Sequence, residues 1–277
     1  KQLVTSLSKS ERICEIMDTP PSIIDSECAE DIDSISGDVK FQNVTFCYGG
    51  SGNPNYSNNI TQLDNSNKVN VLENVSFHVN PGESIALVGP PGAGKSTIVN
   101  LLYRFYDIQS GAILVDDKDI RNIKLLSLRR QMGIMTQDNF IFSGTIRSNI
   151  QYGKLEATEE EIIKAAKIVH ADEFITKLPE GYDTKLTARG GELSNGQRQL
   201  IAFARTMIAD PKILILDEAT SSIDTKTEKL VQAGITELLK GRTSFVIAHR
   251  LSTIANADRI FVVNKKGIVE SGTPKAL

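Results

Sequence analysis

Three stretches of this sequence carry residue types and spacings suited to handling phosphate. The first, Gly89-Pro90-Pro91-Gly92-Ala93-Gly94-Lys95-Ser96-Thr97, fits G-x-x-x-x-G-K-[ST] and follows the apolar run Ile85 to Val88. Glycines at these positions let backbone N–H groups turn toward phosphate oxygens, and a helix opening behind them adds the positive end of its dipole. Gly89, Gly92, Ala93, Gly94 and Thr97 belong to that cradle, Lys95 would reach the β/γ-phosphates, and Ser96 would offer an oxygen to Mg²⁺. The second stretch, Ile213-Leu214-Ile215-Leu216-Asp217-Glu218, reads as a buried strand delivering two carboxylates at its C-terminal end. Ligands of open α/β sheets bind at that end. Asp217 suits the Mg²⁺ shell and Glu218 suits polarising an attacking water. The third stretch is Glu192-Leu193-Ser194-Asn195-Gly196-Gln197. Ser194 and Gln197 satisfy an S-x-x-Q capping box, which by itself accounts for both. It leaves Gly196 unexplained, because glycine is unfavourable in a first helical turn but lets a backbone N–H approach an anion closely. One nucleotide needs one cradle, so the second such turn must serve something else.

The elements that would hold these groups follow from the hydrophobic pattern. From Val71 onward, short apolar strands alternate with amphipathic helices, which predicts an α/β body around a largely parallel sheet. Behind Ser194, the residues Leu200, Ile201, Ala204, Met207 and Ile208 share one helical face. Val39 to Tyr48 alternates as a strand, and Gly49 to Asn70, rich in Asn, Gly and Ser without periodicity, reads as a surface loop. Its NYS and NIT triplets are read as chance matches to glycosylation acceptors. In the leader, Leu3, Leu7, Ile13, Ile16 and Met17 keep a rough helical stripe that Pro20-Pro21 ends, and the acidic stretch Asp25 to Asp38 reads as a connector.

Composition narrows the classes. With 277 residues and 40% hydrophobic content, the chain can bury one large core or two small ones. Lys and Arg number 31 against 34 Asp and Glu, a net charge of -3, so no global field attracts a polyanion and no nucleic-acid partner is expected. Cys14, Cys28 and Cys47 show no CxxC spacing and read as reduced thiols. The longest apolar runs have strand length, so any membrane crossing would need another segment.

The run LSNGQRQLIAFARTMIADPKILILDEATSSIDTKTE resembles the signature, Walker B and D-loop segment of ATP-binding cassette (ABC) ATPases, and the likeness extends from about Val39 to the C-terminus. That resemblance implies an α/β P-loop NTPase core with a mostly parallel sheet, an antiparallel β-subdomain around Val39 to His78 and a helical subdomain around Gly144 to Asn195. It implies ATP and Mg²⁺ as ligands and a second ABC ATPase domain, identical or different, packed head to tail. Ser194, Asn195, Gly196 and Gln197 would then close over the partner's ATP. In MTQDNFIFSGTIRSNI, Gln137 falls on the Q-loop glutamine, which contacts Mg²⁺ or water and senses the transmembrane partner. His249 matches the switch histidine at the γ-phosphate, and Tyr48 matches the aromatic that stacks on adenine. Asp224 matches the D-loop aspartate, although Thr225-x-x-Glu228 beside it also reads as a helix start.

Residues 1–38 resemble the connector from the last transmembrane helix of exporter-type ABC proteins, with 39–277 as the ATPase domain. FSGTIRSNIQYGK, LPEGYDTKL and AHRLSTIANADRI resemble the multidrug, lipid and peptide exporter branch. This implies an ATPase driving export through the membrane domains of the same transporter, at the cytoplasmic face of a bacterial plasma membrane. The chain stops at GTPKAL, where the family continues into a final helix, so the resemblance implies an excised domain. Pro91 and Asn195 depart from the family pattern. Two alternatives share the ATP site: a soluble ABC ATPase of DNA repair or translation, and a non-hydrolytic regulatory module. The first would carry a coiled-coil insertion or basic patches, and the second would lack an acid at Glu218.

Overall fold

The computed structural model describes residues 10–14, 17–18, 21, 23–49, 69–136, 140–187, 190–217, 225–248 and 251–276. β1 (Val39–Phe46) alternates buried Val39, Phe41, Val44 and Phe46 with more exposed residues, and β2 (Leu72–Val79) pairs with it antiparallel. β3 (Ser84–Val88) enters a different sheet and runs into the glycine loop, behind which α1 (Lys95–Leu102) begins. β4 (Ser110–Val115) and β5 (Lys118–Asp119) return to the first sheet, whose order is β2-β1-β4-β5. The antiparallel unit therefore takes in strands well beyond His78, because β4 is the partner that satisfies the second edge of β1.

α2 (Leu125–Arg130) leads to β6 (Met132–Met135). A largely helical insertion follows: β7 (Gly144–Thr145), α3 (Ile146–Gln151), α4 (Glu159–Ile168), α5 (Asp172–Ile175), β8 (Lys185–Leu186), which pairs with β7, and α6 (Asn195–Ala209). Thr145 with Ser148 and Thr158 with Glu161 form reciprocal capping boxes that set where α3 and α4 start. The body then alternates β9 (Ile213–Asp217), α7 (Thr225–Leu239), β10 (Thr243–Ile247), α8 (Leu251–Ala255), β11 (Arg259–Asn264) and β12 (Gly267–Gly272). α7 begins at Thr225, in agreement with the helix start read there.

The central sheet has the order β12-β11-β3-β10-β9-β6, with β12 antiparallel at one edge and the other five strands parallel. Alternation along β9 sorts the cores: Ile213 and Ile215 pack with α1 and the antiparallel sheet, while Leu214 and Leu216 pack with α6 and α7. The glycine-loop helix and the helix behind Ser194 thus lie on opposite faces of the central sheet.

The acidic connector is bound along the body. The Asp116 carboxylate accepts from the N–H of Ser36 (2.5 Å), Gly37 (3.1 Å) and Asp38 (2.9 Å) and from the Ser36 hydroxyl (2.7 Å). Ser127 Oγ accepts from Ile32 N–H at 2.7 Å and donates to its carbonyl at 2.8 Å. At Gly37, φ is 93° and a Cβ would lie 2.6 Å from Thr243 Oγ1, so a side chain there is excluded twice over. The fully buried Thr243 hydroxyl donates to the Gly37 carbonyl at 2.7 Å and accepts from Gly82 N–H at 3.0 Å, fastening this segment to the start of β10.

Candidate nucleotide site

The glycine loop is held in a shape only glycine allows at two points. Gly89 has φ 150°, and a Cβ there would lie 2.1 Å from the Val263 carbonyl of β11. Gly94 has φ 105°, and its Cβ would meet Leu72 of β2 at 2.9 Å. The loop is thus pressed between the two sheets and cannot widen. Gly94 caps α1 with no side-chain hydrogen bond, so the first-turn N–H groups are left for a ligand. Lys95 is buried, and its ammonium donates to the carbonyls of Gly89 at 2.8 Å and Pro90 at 3.0 Å, folded back over the loop. Gly92, Ala93 and the exposed Ser96 follow the same turn, and Ala93 N–H bonds Pro90 O at 3.2 Å. Pro91 is exposed on it.

Strand register brings further groups to this edge. Leu87 of β3, Ile247 of β10 and Asp217 of β9 are aligned across three neighbouring strands, and Met135 of β6 aligns with Leu216. Asp217 therefore closes the same sheet edge from which the loop springs. Among the described residues its carboxylate has no hydrogen-bond or ion-pair partner. No group of three His, Cys, Asp or Glu gathers as a metal site among the described residues. The Ser96 hydroxyl and the Asp217 carboxylate are a sparse oxygen set, which fits Mg²⁺ because this ion commonly takes one or two protein oxygens and completes its shell with phosphate and water.

Tyr48 reaches this loop from the antiparallel sheet, its hydroxyl 3.1 Å from the Thr97 hydroxyl. Its ring makes T-shaped contacts with Phe46 at 4.9 Å and Tyr106 at 5.1 Å and remains partly exposed to solvent. Sequence reasoning missed Tyr106, which follows α1 where no periodicity marks it.

The sequence profile of ABC transporters matches residues 72–221. The chain belongs to the ABC transporter family. Over 271 residues this ABC domain is 45% identical to an ATP-dependent lipid A-core flippase of Syntrophus aciditrophicus, covering 98% of the chain and 42% of that protein. Over 270 residues it is 44% identical to a fatty acid ABC transporter ATP-binding/permease protein of Mycobacterium tuberculosis, covering 98% and 40%. A solved bacterial Atm1-family ABC exporter with ATP bound matches its fold at TM-score 0.83 and 38% identity, covering 99% of the chain and 45% of the exporter chain. The chain thus spans about two fifths of the length of the curated relatives it matches. It has the ABC ATPase fold, with P-loop core, antiparallel subdomain and helical subdomain.

The turn at Ser194 opens a helix that packs on the other face of the central sheet from the glycine-loop helix. Ser194 Oγ accepts from Gln197 N–H at 3.2 Å and Gln197 Oε1 accepts from Ser194 N–H at 2.9 Å, so the capping box is formed. Asn195 Oδ1 accepts from the Arg198 guanidinium. Ser194 and Asn195 are exposed while Gly196 is buried. Gln137, Glu218, Asp224 and His249 lie outside the described residues. Among the described residues, no helix is long and apolar enough to cross a membrane.

Proposed function

We propose that this domain hydrolyses ATP to drive export by an ABC transporter, through head-to-tail closure of two cassettes. The observation that carries the reading is the glycine loop pinned at Gly89 and Gly94 ahead of an uncapped α1, a preformed anion cradle. Lys95 leaves the Gly89 and Pro90 carbonyls for the β/γ-phosphates, and the exposed Tyr48 ring stacks on adenine. Ser96, Asp217 and Gln137 would hold Mg²⁺, which would supply charge neutralisation at the phosphates. Glu218 accepts a proton from the attacking water, whose oxygen bonds to the γ-phosphorus while the bond to the bridging oxygen breaks, giving ADP and phosphate. His249 positions that water, and Asp224 stands as the D-loop aspartate.

The exposed Ser194 and Asn195, with the Gly196 and Gln197 amides, close over the partner's ATP. In the capping box the Ser194 hydroxyl oxygen accepts a bond, so its proton remains to be donated to a γ-phosphate. Capping and sharing are therefore compatible. The likeness to a lipid A-core flippase and a fatty acid ABC transporter ATP-binding/permease protein supports ATP-driven work at a membrane; on this reading the ATPase domains lie at its cytoplasmic face. Residues 1–38 would then be the connector from the membrane domain, and 39–277 the ATPase domain.

The test is Glu218→Gln. The amide keeps the shape of the carboxylate but does not accept the proton, so turnover should fall by about a hundredfold or more while ATP affinity stays. ATP-bound dimers should accumulate on a sizing column. Wild-type turnover in Glu218→Gln would remove the general base from the mechanism.

A further inference from the structure

Arg205 lies on α6, about three turns beyond Ser194. It is one charged residue beside the apolar face formed by Leu200, Ile201 and Ala204. Its guanidinium donates to the Asn149 carbonyl (2.8 Å), the Asn149 Oδ1 (2.9 Å) and the Phe140 carbonyl (2.9 Å). The same group lies over the rings of Phe142, 5.2 Å away, and Tyr152, 5.9 Å away. Among the described residues no carboxylate pairs with it, and burial pulls its pKa below the ordinary arginine range.

Partly burying a guanidinium without a counter-charge is unfavourable, and an apolar residue would pack against α3 without that cost. What arginine supplies is a rigid planar fork that takes several acceptors and ring faces at once. Those acceptors belong to the segment that follows Gln137 along the chain. Asn149 completes the junction: its Oδ1 accepts from Phe142 N–H at 2.9 Å, and its amide donates to the carbonyls of Phe142 and Thr145, each at 3.0 Å. On the other side, a Cβ at Gly153 would lie 2.0 Å from the Arg205 carbonyl, so the turn after α3 is in backbone contact with α6.

We infer that Arg205 is a positioning residue that locks the segment from Phe140 to Gly153 to the helix behind Ser194, so that this segment and Ser194 at the partner's ATP move as one body. This deepens the proposed function and rests on it. Arg205 touches no nucleotide in this scheme; it sets the angle at which α6 presents Ser194 during closure.

The test uses Arg205→Lys in the full-length protein, which keeps the charge and removes the fork. ATP-binding sites per chain, KM for ATP and kcat per binding site are measured together. A merely structural role would lower the number of sites and leave kcat per site unchanged. The expected result is an unchanged site number, KM within about twofold, and kcat per site reduced by about tenfold or more. Unchanged kcat per site overturns the assignment. Should Arg205→Lys not fold, Phe142→Leu with Tyr152→Leu removes the ring faces and leaves the fork; a loss of kcat per site of about threefold or more supports the role, and no loss overturns it. Failure of the unsubstituted protein to hydrolyse ATP would remove the proposed function itself, an outcome distinct from a wild-type rate in the variants.

Discussion

At Gly89 the Val263 carbonyl occupies the space where any other residue would place its first side-chain carbon. The φ of 150° adds conformational strain of about 1–3 kcal/mol for a non-glycine residue. Gly89→Ala must therefore push the loop away from β11, and both ATP binding and thermal stability should fall. Lys95→Ala differs, because it removes the side-chain cation of the cradle and leaves the backbone as it is. ATP binding measured by calorimetry at millimolar Mg²⁺ should be abolished or severely weakened in Lys95→Ala, with a much smaller change in melting temperature. Equal loss of melting temperature in the two variants would show that the glycine is not the steric keystone described.

At the scale of elements, the helical insertion holds a group whose protonation is tied to its fold. Tyr182, in the turn between α5 and β8, donates to Asp172 Oδ1 at 2.7 Å. Burial, and then the hydrogen bond to the Asp172 carboxylate, raise the phenol above its ordinary value near 10. The folded form holds this proton more tightly than the unfolded form. The contribution is thus complete below about pH 10 and is lost as pH rises from there through the folded value. Tyr182→Phe should lower stability by about 1 kcal/mol at neutral pH, and the gap to wild type should close on going above pH 10, measured by urea unfolding at each pH. A gap constant with pH would mean that the hydroxyl contributes packing alone. The same scale shows what could be read without coordinates. The glycine loop, the strand ending at Asp217 and the capping box at Ser194 were legible because each is defined within a few neighbouring residues. The fastening of Ser36, Gly37 and Asp38 to Asp116 was not, since its partners are about eighty residues apart in sequence. Tyr106 beside Tyr48 was hidden for the same reason. Arg205 left one trace, a charge bordering an apolar helical face, but its acceptors are mostly backbone carbonyls and have no sequence signature.

For the whole molecule, the glycine loop and the signature turn belong to helices on opposite faces of one sheet, which suits two half-sites on one chain. Mixing Lys95→Ala with Ser194→Arg tests this arrangement. A head-to-tail pair would combine the intact loop of one chain with the intact signature of the other, so one whole site exists only in the mixture. ATPase activity above the sum of the separate variants is expected, up to about a quarter of wild type if half the dimers are mixed and one site turns over alone. Full activity in Ser194→Arg alone would reduce the signature to a capped helix. The fastening of Gly37 to Thr243 bears on how the molecule is made. The two residues are 206 positions apart, so a ribosome adding 5–20 residues per second needs roughly 10 to 40 s after Gly37 before Thr243 exists. Through that interval the stretch ahead of β1 lacks this anchor, and the Gly82 N–H and Gly37 carbonyl both await one hydroxyl. The stretch at Gly37, held until then by Asp116 and Ser127, is therefore sealed late, and a nascent chain halted before residue 243 should be cleaved by protease around Gly37 faster than the finished domain.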